Sequence, residues 1–138
     1  MARVLGIDPG TKRCGIAITN ADRTIAFPRP AITRDDQTII RLRHLVEEES
    51  IADIVIGRPI ALSGRDTPST ADADELFEQV RQHFVTVRVI QWDERLTTRQ
   101  AQKSLSEAGL TTKGSRDRVD SAAAVIMLQN YLDGLNAE

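Results

Sequence analysis

The sequence predicts an α/β fold: a mixed sheet of about five strands flanked by about four helices. Three observations lead there. Val- and Ile-rich runs at residues 3–8 and 14–20 are separated by a tight turn. Two later apolar runs, 52–57 and 85–92, alternate with segments of helical period. A final segment, from about Arg116 to Leu132, is apolar on more than one face. A hairpin followed by β-α crossovers makes the first strands antiparallel and the later ones parallel, with right-handed connections.

The first two runs are joined by Pro9-Gly10-Thr11-Lys12-Arg13. Pro fixes φ and Gly accepts positive φ, so this is turn chemistry and the pair reads as a hairpin. Residues 24–33, TIAFPRPAIT, form a third extended segment. Its two prolines cannot donate to a ladder, and they put it at an edge or make it irregular. Ile39, Leu42, Leu45 and Val46 then recur at helical spacing behind Asp35 and Asp36, which suit a helix start. ADIVIG, 52–57, is a short continuous apolar run, as expected of a buried parallel strand.

Ser69-Thr70-Ala71-Asp72 resembles a capping box. It opens a second helix whose stripe is Ala73, Leu76, Phe77, Val80 and Phe84. VTVRVIQW, 85–92, is the fifth strand. Thr97 to Gln100 fits a cap for a third helix ending near Ala108, and Gly109 stops it. The last helix carries Val119, Ala122, Ala123, Ile126 and Met127 on several faces, so it packs deeply.

A chain of 138 residues suits one domain, 1–138. The net charge of −2 gives no global attraction to polyanions, so any nucleic-acid binding rests on local basic patches. The single cysteine, Cys14, permits no internal disulfide and suits a reducing, cytoplasmic setting. It sits in an apolar run and reads as a buried packing residue. His44 and His83 read as surface residues without zinc-ligand spacing. No stretch approaches the roughly 20 apolar residues that span a bilayer, and the N-terminus is expected to enter a strand at once with no signal peptide.

Three acids fall at the ends of predicted elements. Asp8 ends the first strand, Glu94 follows the last strand, and Asp120 lies near the start of the last helix. In open α/β sheets, ligands gather beyond the carboxyl ends of parallel strands. Asp8 and Glu94 share that edge if strands one, four and five are parallel. Small alanines after Asp120 let its helix approach the sheet. A bland reading gives Asp8 to turn capping and Asp120 to the helix dipole. The other is a carboxylate cluster, which is costly unless a cation joins it. Hard oxygen donors suit Mg²⁺ or Mn²⁺, and such sites hydrolyse phosphodiesters without a His or Cys nucleophile. Ser63, Ser115 and Ser121 have no His–Asp partner nearby in the sequence.

GIDPGTKRCGIAI, IVIGRP, DERLTT and VDSAAAVIMLQ, in this order and at these intervals, resemble the YqgF (RuvX) family over essentially the whole chain. The resemblance implies a ribonuclease-H-like fold and a metal-dependent endonuclease. It implies either a nuclease of the pre-16S rRNA 5′ end, the preferred reading, or a Holliday junction resolvase. Carried over by position, the family's acidic triad falls on Asp8, Glu94 and Asp120. The resemblance also implies roles near substrate for Gly10, Lys12, Arg13, the Gly57–Pro59 loop and Arg95. Many relatives have GLP followed by Asn and Met-Asp-Gly, where this chain reads GRPIALSGRD.

Arg58 and Arg65 in that loop, Arg95 and Arg99 after Glu94, and Lys113, Arg116 and Arg118 before Asp120 repeat the pairing of base with acid seen at Lys12 and Arg13. Together they are expected to form a local phosphate-binding field. Trp92 reads as core packing. Two further classes stand beside the nuclease. The first hairpin also resembles a phosphate loop of actin-like ATPases, which are far longer chains. A non-catalytic nucleic-acid binding module would use the acids structurally. Monomer and homodimer both fit.

Overall fold

The computed structural model describes residues 3–59, 63–94 and 116–136, with the backbone alone at 116–120 and 136. Strands β1 (Arg3–Asp8), β2 (Arg13–Thr19), β3 (Ala26–Thr33), β4 (Ile51–Arg58) and β5 (Arg88–Asp93) form one sheet in the order β3-β2-β1-β4-β5. β2 pairs antiparallel with β1 and β3, while β4 runs parallel to both β1 and β5. The mixed sheet is the one expected, and β3, with its two prolines, is an edge strand. Helices α1 (Thr38–Glu48), α2 (Pro68–His83) and α3 (Arg116–Asn136) complete the described fold. The helix expected over 97–108 lies outside the described residues.

Side chains alternate across a strand, so each strand serves two cores. Leu5, Ile7, Ile54 and Ile56 turn to one face and pack with Leu42 of α1 and Leu76 and Val80 of α2. Val4 and Val55 turn to the other face and meet Ala124, Met127, Leu128 and Leu132 of α3. Residues 124–128 of α3 are all buried, which explains why the sequence shows apolar groups around the helix. Trp92 joins this second core and meets Tyr131 edge to face, with ring centroids 5.8 Å apart. Cys14 is buried, and His44 and His83 are exposed.

Some boundaries differ from the sequence reading. Thr67, not Ser69, caps α2: its side chain accepts from Thr70 N, the Thr70 side chain accepts in return, and Pro68 takes the first helical position. β5 begins at Arg88 rather than residue 85, and Val85 is exposed. Its β-branched character suggested strand, but no partner on β4 reaches it, since β4 pairs begin at Asp53 with Arg88. The close approach of α3 rests on the sheet's glycines as much as on the helix's alanines. A Cβ on Gly6 would lie 3.1 Å from Leu128 Cβ and 3.2 Å from its Cδ2. Gly6→Ala is therefore expected to destabilise the fold by about 1–3 kcal/mol through overpacking, read as a lower urea midpoint with an unchanged slope.

Candidate active site

Asp8 ends β1 opposite Gly15 of β2, and β4 and β5 end beside it in the same direction. The strand period fixes its face. Positions 4, 6 and 8 of β1 turn toward α3, as do 55 and 57 of β4 and 90 and 92 of β5. Glu94 directly follows β5 and joins Asp8 by a side-chain hydrogen bond. The two carboxyl groups selected from strand ends, 86 positions apart in the chain, thus meet at the carboxyl edge of the parallel strands.

Gly57 makes room for this contact. A Cβ there would lie 2.7 Å from Glu94 Oε1 and 2.9 Å from Met127 Sδ. Burial pushes the Glu94 carboxyl up to about 9, with the hydrogen bond to Asp8 and the charges of Asp8 and Asp93 acting in the same direction. Burial also raises Asp8, while its bond from Glu94 works against that rise. Both carboxyl groups are thus raised, and the contact favours a proton held between them. Among the described residues no group of three or more metal-ligating side chains forms. The third predicted acid, Asp120, has its backbone in α3 one residue before buried Ser121, and its carboxylate lies outside the described side chains.

The basic residues divide. Lys12 in the β1–β2 turn and Arg65 after β4 are exposed, both beyond the carboxyl ends of parallel strands. Arg13 is half-buried at the start of β2. Arg58 is engaged: Nε donates to Asp74 Oδ1 at 2.8 Å and Nη2 to Asp74 Oδ2 at 3.1 Å, with Asp66 3.5 Å away. This fork faces α2 because position 58 continues the 54, 56 side of β4. Arg58 in turn holds the Asp74 carboxyl below its usual range. Arg95, Arg99 and Lys113, and the side chains of Arg116 and Arg118, lie outside the described residues.

Arg34 was not singled out in the sequence. Its backbone N–H donates to Lys12 O at 2.9 Å, and Nη1 donates to Gly10 O at 3.1 Å. The same guanidinium forms a fork with Asp72, at 2.9 and 3.0 Å. It ties the turn after Asp8 to the first turns of α2. The available signal was position: Arg34 follows Thr33, whose register partner is Arg13 beside that turn. Gly10 has its own constraint, since a Cβ there would meet Arg13 O at 2.3 Å. Thr70 of α2 donates its hydroxyl to Pro59 O, and Gln91 of β5 donates to Asp74 Oδ1 at 2.8 Å. The start of α2 thus braces three segments around the carboxyl pair. Burial pushes the Cys14 thiol up, which suits packing rather than nucleophilic chemistry.

A family model described as "RuvX: Holliday junction resolvase" matches residues 2–134. The chain belongs to the RuvX family. Curated RuvX relatives named "Putative pre-16S rRNA nuclease" agree over nearly all of it. The protein from Mycobacterium sp. (strain KMS) is 40% identical over 134 residues, covering 95% of this chain and 79% of the relative. That of Ruminiclostridium cellulolyticum is 36% identical, covering 95% and 94%. Solved structures give the fold. RuvC of T. thermophilus in complex with Holliday junction substrate aligns with a TM-score of 0.68 at 11% identity, covering 99% of this chain and 97% of that one. The fowlpox virus Holliday junction resolvase aligns with a TM-score of 0.60 at 12% identity, covering 96% and 99%. The ribonuclease-H-like fold expected from the resemblance is therefore the fold of the RuvX chain.

Two predictions follow from the carboxyl pair. Gly57→Ala displaces the flexible ends of Glu94 and Met127 rather than backbone. It is expected to lower nuclease turnover by about tenfold or more while costing only about 1 kcal/mol of stability, checked by paired kinetics and denaturation. The pH dependence has a defined sign. Glu94 titrates near 9 in the folded protein against 4.5 ordinarily, so the folded state binds the extra proton. That stabilisation is complete below the ordinary value and is lost as pH rises through about 9. Melting temperature of the metal-free protein should fall on that rise, and Glu94→Gln should flatten the fall.

Proposed function

We propose that the chain is a divalent-metal-dependent endonuclease that hydrolyses phosphodiester bonds in structured RNA, processing the 5′ end of pre-16S rRNA. The observation that carries this reading is the contact between Asp8 and Glu94 at the carboxyl edge of the parallel strands. Two carboxyl groups in contact repel unless a proton or cation lies between them, and their oxygens suit Mg²⁺ or Mn²⁺. The donor set therefore fits a metal held by Asp8 and Glu94, with Asp120 as the third ligand. Bound there, a divalent cation supplies Lewis-acid polarisation of the phosphodiester and a more acidic attacking water.

The chain's own residues do the positioning. Asp8 is held at its strand end by pairing with Gly15 of β2, one residue past the last β1–β4 pair, Ile7 with Ile56. Gly10 lets the turn close against Arg13 O, where a Cβ would lie at 2.3 Å, and in the proposal phosphate approaches its backbone. Lys12 and Arg65, both exposed, meet phosphate charge, and Arg13 lies at the base of the same turn. Arg95, Arg99, Lys113, Arg116 and Arg118 extend this field in the proposal. Arg58 serves first as a brace to Asp74. The reaction belongs in the cytoplasm on this reading. No described helix is long and apolar enough to cross a membrane.

A second reading is cleavage of four-way DNA junctions, favoured by the likeness of fold to RuvC. It calls for a two-fold dimer, because two strands are cut symmetrically. Purified protein offered pre-16S rRNA, single-stranded RNA and four-way junctions with Mg²⁺ or Mn²⁺ separates the two. Preferential cutting of the rRNA precursor is expected, and selective cutting of the junction would reverse the choice. Asp8→Asn and Asp120→Asn should each reduce cleavage by about 10²-fold or more while retaining nucleic-acid binding. Full activity in both would remove the metal-dependent reading altogether.

A further inference from the structure

Ser121 is wholly buried in α3, in a helix whose other buried groups from 124 to 132 are apolar apart from the Tyr131 hydroxyl. Its Oγ accepts from Ile16 N–H at 3.0 Å and donates to Arg29 C=O at 2.6 Å. Ile16 and Arg29 are register partners across β2 and β3. The helix therefore places one hydroxyl between two facing backbone groups of the sheet. It does so where the β2–β3 register shifts, between Cys14 and Ile16.

The location matters for the carboxyl site. On the other side of β2, Ile16 pairs with Ile7 and Gly15 pairs with Asp8. The point where α3 is pinned is thus one register step from the partner of Asp8. Asp120 immediately precedes Ser121 in the helix backbone. Two turns further along, Gln129 makes a similar pair of bonds, accepting from Ala26 N–H and donating to Thr24 C=O, both at 3.0 Å, so Ser121 is the contact of this kind at the Asp120 end of α3. Two hydrogen bonds of opposite sense on one atom fix both its height and its rotation at that point. An alanine would satisfy helix propensity better, so what serine adds is this registration.

We infer that Ser121 is a positioning residue, setting α3 against β2 so that Asp120 is delivered to the Asp8–Glu94 pair. The inference rests on the metal-dependent reading above and adds to it the device that assembles the third ligand.

Mn²⁺ affinity measured by calorimetry on the purified protein, without nucleic acid, tests it apart from turnover. Ser121→Ala is expected to weaken Mn²⁺ binding by about tenfold or more, with a matching rise in the Mn²⁺ needed for half-maximal cleavage. Leu132→Ala, a truncation near the other end of the same helix, controls for lost stability. It should lower the melting temperature at least as much while leaving Mn²⁺ affinity within about twofold of wild type. Unchanged Mn²⁺ affinity in Ser121→Ala, or an equal loss in Leu132→Ala, overturns the inference. If Ser121→Ala does not fold, Ser121→Cys takes its place with the same expected loss, since a thiol keeps the shape but bonds weakly. Asp120→Asn is measured alongside. Should it keep wild-type Mn²⁺ affinity and cleavage, the assignment of Asp120 as third ligand fails and the inference with it, which is a different result from Ser121→Ala alone being silent.

Discussion

Strand β1 is bonded on one side to a strand running against it and on the other to a strand running with it. The antiparallel side needs only a short turn, so the chain folds straight back past Asp8. The parallel side needs crossovers, and these gather the ends of β1, β4 and β5 along one edge. Asp8 stands where the two arrangements meet. It inherits rigidity from the hairpin and an open edge from the parallel strands. The alternation of faces then follows for every strand paired in register with β1, including the face that Gly57 and Trp92 share.

That alternation also divides labour between helices. α3 packs on the face where Asp8 lies, and its contact is close because Gly6 and Gly57 present no side chains to it. α1 and α2 cover the opposite face. The carboxyl pair is therefore enclosed from the α3 side while its supporting loops are tied down from the α2 side. Burial raises both acids, and this cost is tolerated because neither side can relax away from the contact without breaking a packed core.

The strands and their parallel or antiparallel sense were legible because apolar runs of defined length, prolines in β3 and turn chemistry at Pro9-Gly10 are local signals. Asp8 and Glu94 were legible for a related reason: strand ends in a parallel sheet converge. Less of the bracing was visible. Arg34 and Asp72 are 38 positions apart, and nothing local distinguishes them from surface charges. Arg58 read as a cation for phosphate because its loop is basic, whereas the strand period turns it toward Asp74. Ser121 looked inert for want of a catalytic partner, since its partners are backbone groups that no side-chain pattern reveals. The cap of α2 was misplaced by two residues because Thr67 and Ser69 are both plausible caps, and Pro68 decides between them.

The acids at the start of α2 have a consequence for how such a surface meets a polyanion. Each neutralised phosphate releases condensed counterions, and that release makes binding steeply sensitive to salt. Asp72 and Asp74 already occupy the guanidinium groups of Arg34 and Arg58. Both guanidinium groups are thus engaged by carboxylates before any phosphate arrives. For a chain with net charge −2 braced this way, affinity for nucleic acid should fall less steeply with salt than its count of arginines suggests.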